Sequence, residues 1–557
     1  MNIRKRIWKP AGIVVAAIAI AASVSFIALP DREFQIIKSM DIFFNLFREI
    51  NLFYVDNTDP EELVNKSIEG MLETLDPYTS FIPESAMEDY KAVTEGQYGG
   101  VGITIRDMDD VMTVVDVARH HPADKAGIRI GDMLMRVNGE WLTGKTDDEV
   151  FEMLKGAPHT KMQLTYLQAS TKKEITKELV REMIPIPNVP YYGMLDNERK
   201  VGYIRLSNFS SDAGKEVKNA LLDLKKTHGI RALVLDIRNN PGGLLVEAVE
   251  VVNLFVKRGQ EVVSTRGRIK QWDNIYTTRY EPVDTAIALA VVVNRSSASA
   301  SEIVAGAIQD LDRGVIIGQR TFGKGLVQTT RPLSYNTQVK ITTAKYYIPS
   351  GRCIQALDYA HREADGSVGH IPDSLIREYR TLKNNRTVRD GGGVSPDVEA
   401  LPETMSRIAV TLYVRNLIFN YATIYTLQHD TILPARDFKL SDREYDEFIA
   451  YLQDKFFDYQ TEMEMTFLKL KQLAEKEQFI GDVTAEMDAL QAKLNHDRFR
   501  DLEIHREDVK ELLCEEIVAR YYYNAGKIAN TMRNDTQIKT AVSVLAEQDR
   551  YNELLNN

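Results

Sequence analysis

The sequence predicts a multidomain α/β protein: an α/β core with an inserted β-rich module, a helical N-terminal unit and a helical C-terminal extension. Three observations carry this. Short β-branched runs crowd residues 99–167, strand and helix patterns alternate from Lys200, and apolar residues recur at helical spacing from Glu403. A chain of 557 residues exceeds what one core supports and fits roughly three to four domains. Its 44% hydrophobic and 27% charged residues are those of an ordinary globular protein, and a net charge of −11 argues against a nucleic-acid partner, which selects a basic face.

Residues 1–30 form a segment of their own. Arg4, Lys5, Arg6 and Lys9 precede an uncharged apolar run from Ala11 to Leu29, closed by Pro30 and Asp31. Cations before an apolar run mark export: either a removed signal peptide or a retained anchor, placing the rest of the chain in the cell envelope, on the periplasmic side. Residues 31–95 are expected to be helical, since Ile37, Met40, Phe43, Phe44 and Phe47 share helical spacing and Pro60-Glu61-Glu62-Leu63 opens a second helix. Asp76-Pro77-Tyr78-Thr79-Ser80 reads as a turn.

Residues 96–170 carry strand-like runs at 101–105, 112–117, 133–137 and 162–167, with one helix from Asp147 to Leu154. Gly100-Val101-Gly102-Ile103, followed by His121-Pro122-Ala123-Asp124-Lys125-Ala126-Gly127 and Val137-Asn138-Gly139, resembles the PDZ signature. In such a module, glycines leave successive N–H groups free to hold a terminal carboxylate, while the adjoining strand edge accepts an extended peptide. The resemblance assigns peptide binding to Gly100, Val101, Gly102 and Ile103.

Residues 171–400 read as the α/β core, with buried-strand runs at 232–235 and 287–293. Each run ends in a polar or glycine-rich turn, and strand carboxyl ends are where α/β sheets gather their chemistry. Residues 401–557 read as helices. Ile408 to Leu427 is nearly all apolar, but Arg415, Asn416 and Asn420 within it favour a buried helix over a membrane span. The charged, amphipathic helices beyond Asp442 suit a solvated bundle, a surface for an adaptor or a second copy. The two cysteines, Cys353 and Cys514, cannot be paired or separated from sequence.

No Gly-x-Ser-x-Gly elbow, His-Glu-x-x-His helix, P-loop or dinucleotide loop occurs, and none of the nine histidines follows a buried strand. A Ser-His-Asp triad is therefore unsupported. Attention falls on Ser297-Ala298-Ser299-Ala300-Ser301-Glu302 and on Thr321-Phe322-Gly323-Lys324-Gly325-Leu326-Val327-Gln328. Small residues leave room for a substrate backbone, and a desolvated lysine can serve as base for a serine. Gln328 is placed to orient the amine. Taken alone, Ser299-x-x-Glu302 is also a capping box at a helix start.

These stretches, with Ser299 and Lys324 separated by twenty-five positions, resemble the active-site signature of the carboxyl-terminal processing peptidases, or tail-specific proteases. The resemblance implies a serine endopeptidase in which Ser299 is the nucleophile, Lys324 the base and Gln328 its orienter, with no metal or cofactor. Leu235 to Gly243 resembles the family's glycine turn, so either Gly242 or Gly243 would join Ala300 in holding the oxyanion. The implied substrates are proteins or peptides with accessible C-termini, held by the PDZ module and cut upstream. The alternative is an inactive PDZ scaffold on the same fold. About thirty-five residues intervene between Gln355 and Gly393, where family members commonly have a few, and the helical tail has no counterpart in that pattern.

Overall fold

A computed structural model describes residues 31–362, 367–494 and 497–556. The apolar segment from Ala11 to Leu29 lies outside the described residues, and no helix among those described is long and apolar enough to cross a membrane. The chain divides into two compact units at Phe81 and Ile82. In the first, α1 (Asp31–Phe53) and α2 (Pro60–Glu73) follow the predicted spacing. Asp59 caps α2 by accepting from the Glu61 and Glu62 N–H groups, with Pro60 at the first helical position. Phe34, Ile37, Met40 and Phe44 of α1 are exposed.

The second unit begins with α3 (Met87–Glu95) and β1 (Gln97–Gly100). The β-rich module follows as β2 (Ile103–Asp107), β3 (Met112–Val117), β4 (Met133–Val137), β5 (Lys161–Leu167) and, beyond the boundary of 170 read from sequence, β6 (Glu174–Val180), which pairs along the whole of β5. The strands are hydrogen-bonded in that order with β2 at one edge. Helix α4 (Asp147–Leu154) starts at a Thr146–Glu149 capping box and buries Val150 and Leu154 in the module's core. Strand β7 (Glu182–Pro185) then returns along β1.

The core is a six-stranded sheet in the order β8 (Tyr191–Asp196), β9 (Val201–Arg205), β10 (Ala232–Asp236), β13 (Ala288–Val293), β14 (Val315–Gly318) and β17 (Val398–Glu399). All of it is parallel except the β8–β9 pair. One face packs on α5 (Ala213–Asp223), α6 (Leu245–Asn253) and α7 (Ala300–Asp310), through Leu233, Leu235, Leu289 and Val291. Strands β11 (Glu261–Gly267), β12 (Asn274–Thr277), β15 (Leu326–Pro332) and β16 (Gln338–Tyr347) form an antiparallel sheet beside it. The buried-strand runs read at 232–235 and 287–293 fall on β10 and β13, and the helix start read at Ser299 opens α7.

The tail is helical as expected, with one difference. The stretch read as a single helix from Ile408 to Leu427 is two, α8 (Arg407–Val414) and α9 (Leu417–Gln428), broken at Asn416, whose φ of +57° is a left-handed conformation that asparagine tolerates. Both are packed among buried aromatics. Helix α10 (Asp442–Leu452) leads toward α11 (Arg506–Thr531), α12 (Thr536–Ala546) and α13 (Gln548–Asn556). Helices α12 and α13 cover the second face of the core sheet, where Tyr203, Val234, Val292 and Ile317 meet Ile538, Ala541, Val544 and Tyr551. Cys353 and Cys514 are both free thiols.

Candidate active site

Three loops leave the same end of three adjacent parallel strands. The turn 237–244 follows β10, the loop 294–299 follows β13, and the loop 319–325 follows β14. Their side chains and backbone meet in a cleft of about 280 Å³ lined by Gly243, Ser299, Ala300, Lys324, Gln328 and Tyr346, among others. The sequence-predicted nucleophile, base and orienter are thus brought together, both Ser299 and Lys324 being half-buried.

Ser299 stands at the N-terminus of α7 with φ +55° and ψ −115°, a region that L-residues rarely occupy. The turn around it is short of space. Gly242, at φ +104°, lies so close that a Cβ there would stand 2.7 Å from Ser299 Cβ and 2.9 Å from the Ala300 nitrogen. Only glycine fits. The glycine turn is stitched to the serine loop by Ala298 N–H and Ser301 Oγ donating to Asn240 O, at 3.0 and 2.9 Å. Asn240 Oδ1 in turn accepts from the Gly242 N–H at 2.9 Å. The Gly242 N–H is so engaged and Gly242 is buried, whereas Gly243 is exposed and lines the cleft.

Lys324 follows Gly323, whose φ of +89° and contact with Ala356, 2.4 Å from the position of a Cβ, again admit only glycine. Gln328 lines the same cleft and donates to Thr342 Oγ1 at 3.1 Å.

Two residues not read as part of the site hold its halves in register. Glu302, fully buried, accepts four hydrogen bonds: its Oε2 takes the Ser299 and Lys324 N–H groups at 2.9 and 2.8 Å, and its Oε1 takes Thr321 Oγ1 and the Gly323 N–H at 2.5 and 2.7 Å. Burial raises its carboxyl to about 7, against the opposing pull of these donors. The Tyr346 hydroxyl does the corresponding work on the carbonyl side, its one proton shared between Lys324 O and Ser299 O, the latter at 3.2 Å. The capping-box spacing pointed to Glu302 for a different purpose; nothing in the sequence pointed to Tyr346.

In the β-rich module, Val101 and Ile103 are buried in the core and Gly102 adopts φ +78° beside Ala118 and His121. The side chains of Val101 and Ile103 are therefore turned into the module's own core, and the Val101 and Gly102 carbonyls accept from the Ala123 and Ala118 N–H groups at 3.0 and 2.8 Å. The predicted peptide-binding stretch lies at the start of the edge strand β2, next to α4.

Comparisons agree with this architecture. Residues 200–360 match Peptidase family S41, residues 92–167 match the PDZ domain, and residues 408–545 match the C-terminal helical domain described as that of a probable PDZ-protease. The chain is similar to a carboxy-terminal-processing protease of Bartonella bacilliformis, at 35% identity over 68% of this chain and 83% of that one. It is similar to a probable CtpA-like serine protease of Staphylococcus aureus, at 34% identity over 56% of this chain and 61% of that one. A solved photosystem II D1 C-terminal processing protease is 29% identical with a TM-score of 0.35, over 65% of this chain and 93% of that one.

Proposed function

Because this chain belongs to the carboxy-terminal-processing protease family, and so is a serine peptidase with a PDZ domain, we propose that it works through a Ser299–Lys324 dyad. The observation that carries the reading is the convergence of Ser299, Lys324, Gln328 and the glycine turn on one cleft. Lys324, neutral in its working form, takes the proton of Ser299 as Oγ attacks the substrate carbonyl carbon. The resulting oxyanion is met by the N–H groups of Gly243 and Ala300. Lys324 then passes the proton to the leaving amine, the C–N bond breaks, and an acyl-enzyme forms. Water, deprotonated by the same lysine, releases the acyl group and restores Ser299. Gln328 orients the amine.

Substrate tails are taken by the PDZ domain, with the terminal carboxylate on the backbone of Gly100 to Ile103 and the preceding residues alongside β2. The cations and apolar run of residues 4–29 support work in the cell envelope. The reading of an inactive scaffold gains nothing from the relatives named above, which carry protease descriptions.

The test is cleavage of an unstructured protein ending in an apolar tail. Ser299→Ala and Lys324→Ala should each lower kcat/KM by about 10³-fold or more, as removal of a nucleophile or its base does elsewhere. Parent-like cleavage by either variant would remove that residue from the mechanism.

A further inference from the structure

The helical extension reaches the glycine turn. Arg238, four residues before Gly242, sends Nε and Nη2 to Asp236 at 2.9 and 2.6 Å and Nη1 to Asp535 Oδ2 and Gln537 Oε1 at 2.7 and 2.8 Å. Asp535 caps α12, and Gln537 lies in its first turn, where its Nε2 also donates to Ala400 O. The guanidinium is thus clamped between a carboxylate of the core and two acceptors some 300 residues away in sequence. Asp236 is fully buried. Burial alone would raise its carboxyl, but the Arg238 and Arg205 guanidiniums outweigh this and hold it well below the usual range.

From Arg238 the path to the reacting atoms is short and bonded throughout. Arg238 O accepts from Arg205 Nη2 at 2.7 Å, Asn239 N–H donates to Asn294 Oδ1 at 2.9 Å, and Asn240 carries the bonds to Ala298, Ser301 and Gly242 described above. An oxyanion donor acts only if it is aimed before the charge develops, and side chains that lock its supporting loop set that aim.

We propose that Asp535 and Gln537 are positioning residues for the oxyanion turn, acting through Arg238, so that the helical extension supplies part of the catalytic apparatus. This rests on the Ser299 and Gly243 reading above.

Asp535→Asn isolates the effect. Asparagine caps a helix as well as aspartate does, and Arg238 keeps Asp236 as its counter-ion, so the fold is preserved while one clamp on the guanidinium is lost. The variant should lower kcat about 10-fold or more with KM within about twofold of the parent, for a loosened oxyanion donor costs up to about 10²–10³-fold when removed outright. A peptide aldehyde, which binds as a tetrahedral adduct of the serine, should lose affinity in parallel, while binding of a tail peptide to the PDZ domain and the Tm stay close to the parent. In an Arg238→Gln background, Asp535→Asn should change neither kcat nor aldehyde affinity further, since both act on one path. Gln537→Met, which removes the other acceptor at similar volume, should lower kcat and aldehyde affinity in the same way, with some loss of Tm because the donor to Ala400 O goes too.

Parent-like kcat and aldehyde affinity in Asp535→Asn and Gln537→Met, beside an inactive Ser299→Ala, would overturn this inference and leave the dyad standing. Effects that add fully to those of Arg238→Gln would overturn it too. Cleavage by Ser299→Ala would instead overturn the reading on which it rests.

Discussion

Ser299 combines φ +55° with ψ −115°, a conformation that costs a residue with a Cβ roughly 1–3 kcal/mol. The neighbouring hydrogen bonds to Glu302 and Tyr346 hold it there, in the lining of the cleft. Glu302 gives this clamp a pH dependence. Its carboxyl rises from an ordinary value of 4.5 to about 7 on burial, so folding takes up a proton between those values. The stability contributed by this group is present below that window and is lost as pH rises through it. A calorimetric scan should show Tm falling between about pH 5 and 7.5 on this account, with a shallower slope in Glu302→Gln. That variant should also melt lower at every pH. Each oxygen of Glu302 takes two donors, so either orientation of the amide turns its NH₂ on a pair of them, at a cost of about 1–3 kcal/mol for each donor left unpaired. A Glu302→Gln slope as steep as the parent's would remove Glu302 from the titration. At this scale the meeting of Ser299 and Lys324 in one cleft was legible because their spacing and small or glycine neighbours are local properties of the chain. Tyr346 was not, because it acts on the Ser299 carbonyl from 47 residues away.

Among the elements, the parallel strands were the most legible, since a strand covered on both faces reads as an unbroken apolar run. What covers the second face was not. Val201, Tyr203, Ala290 and Val292 are sealed by α12 and α13, which follow β13 by more than two hundred residues, and no periodicity in either element names its partner. The tail had suggested a solvated surface; its last two helices are instead a layer of the core. Tyr551 illustrates the fit, accepting from the Leu289 N–H at 2.9 Å beneath the sheet. Removing residues 535–557 should therefore leave a protein that binds a hydrophobic dye and precipitates, whereas Tyr551→Phe, which leaves the buried Leu289 N–H unpaired, should cost about 1–3 kcal/mol in urea unfolding and stay soluble. A soluble, cooperatively folding truncation would show that the sheet does not need this cover. The break at Asn416 was missed for a simpler reason: the apolar run continues across it, and a single left-handed residue redirects a helix without disturbing composition.

On the scale of the second unit, the β-rich module has two kinds of attachment. Phe419 of α9 enters its core, Thr423 packs on Gly131, and Tyr523 donates to Asp124 Oδ1 at 2.8 Å. These contacts were not legible, because the nearly all-apolar run that holds Phe419 and Thr423 says that the helix is buried but not against which domain. The covalent attachment is narrower. The chain enters along β1 and leaves along β7, and these pair Gln97 with Pro185 and Gly100 with Glu182 in one antiparallel ribbon. Partners across such a ribbon lie about 5 Å apart, a gap that a two-residue turn spans. Replacing residues 101–181 by Asn-Gly, with Phe419→Gln to quiet the apolar side chain left bare, should give a folded peptidase. It should cut a short fluorogenic peptide near the parent's rate while no longer favouring proteins with apolar tails. Loss of cleavage of the short peptide would mean that the module also supports the site. On the proposed reading the ribbon would make tail selection a detachable cartridge: a different recogniser, spliced between the same two strands, could aim the same hydrolytic chemistry at a new class of proteins.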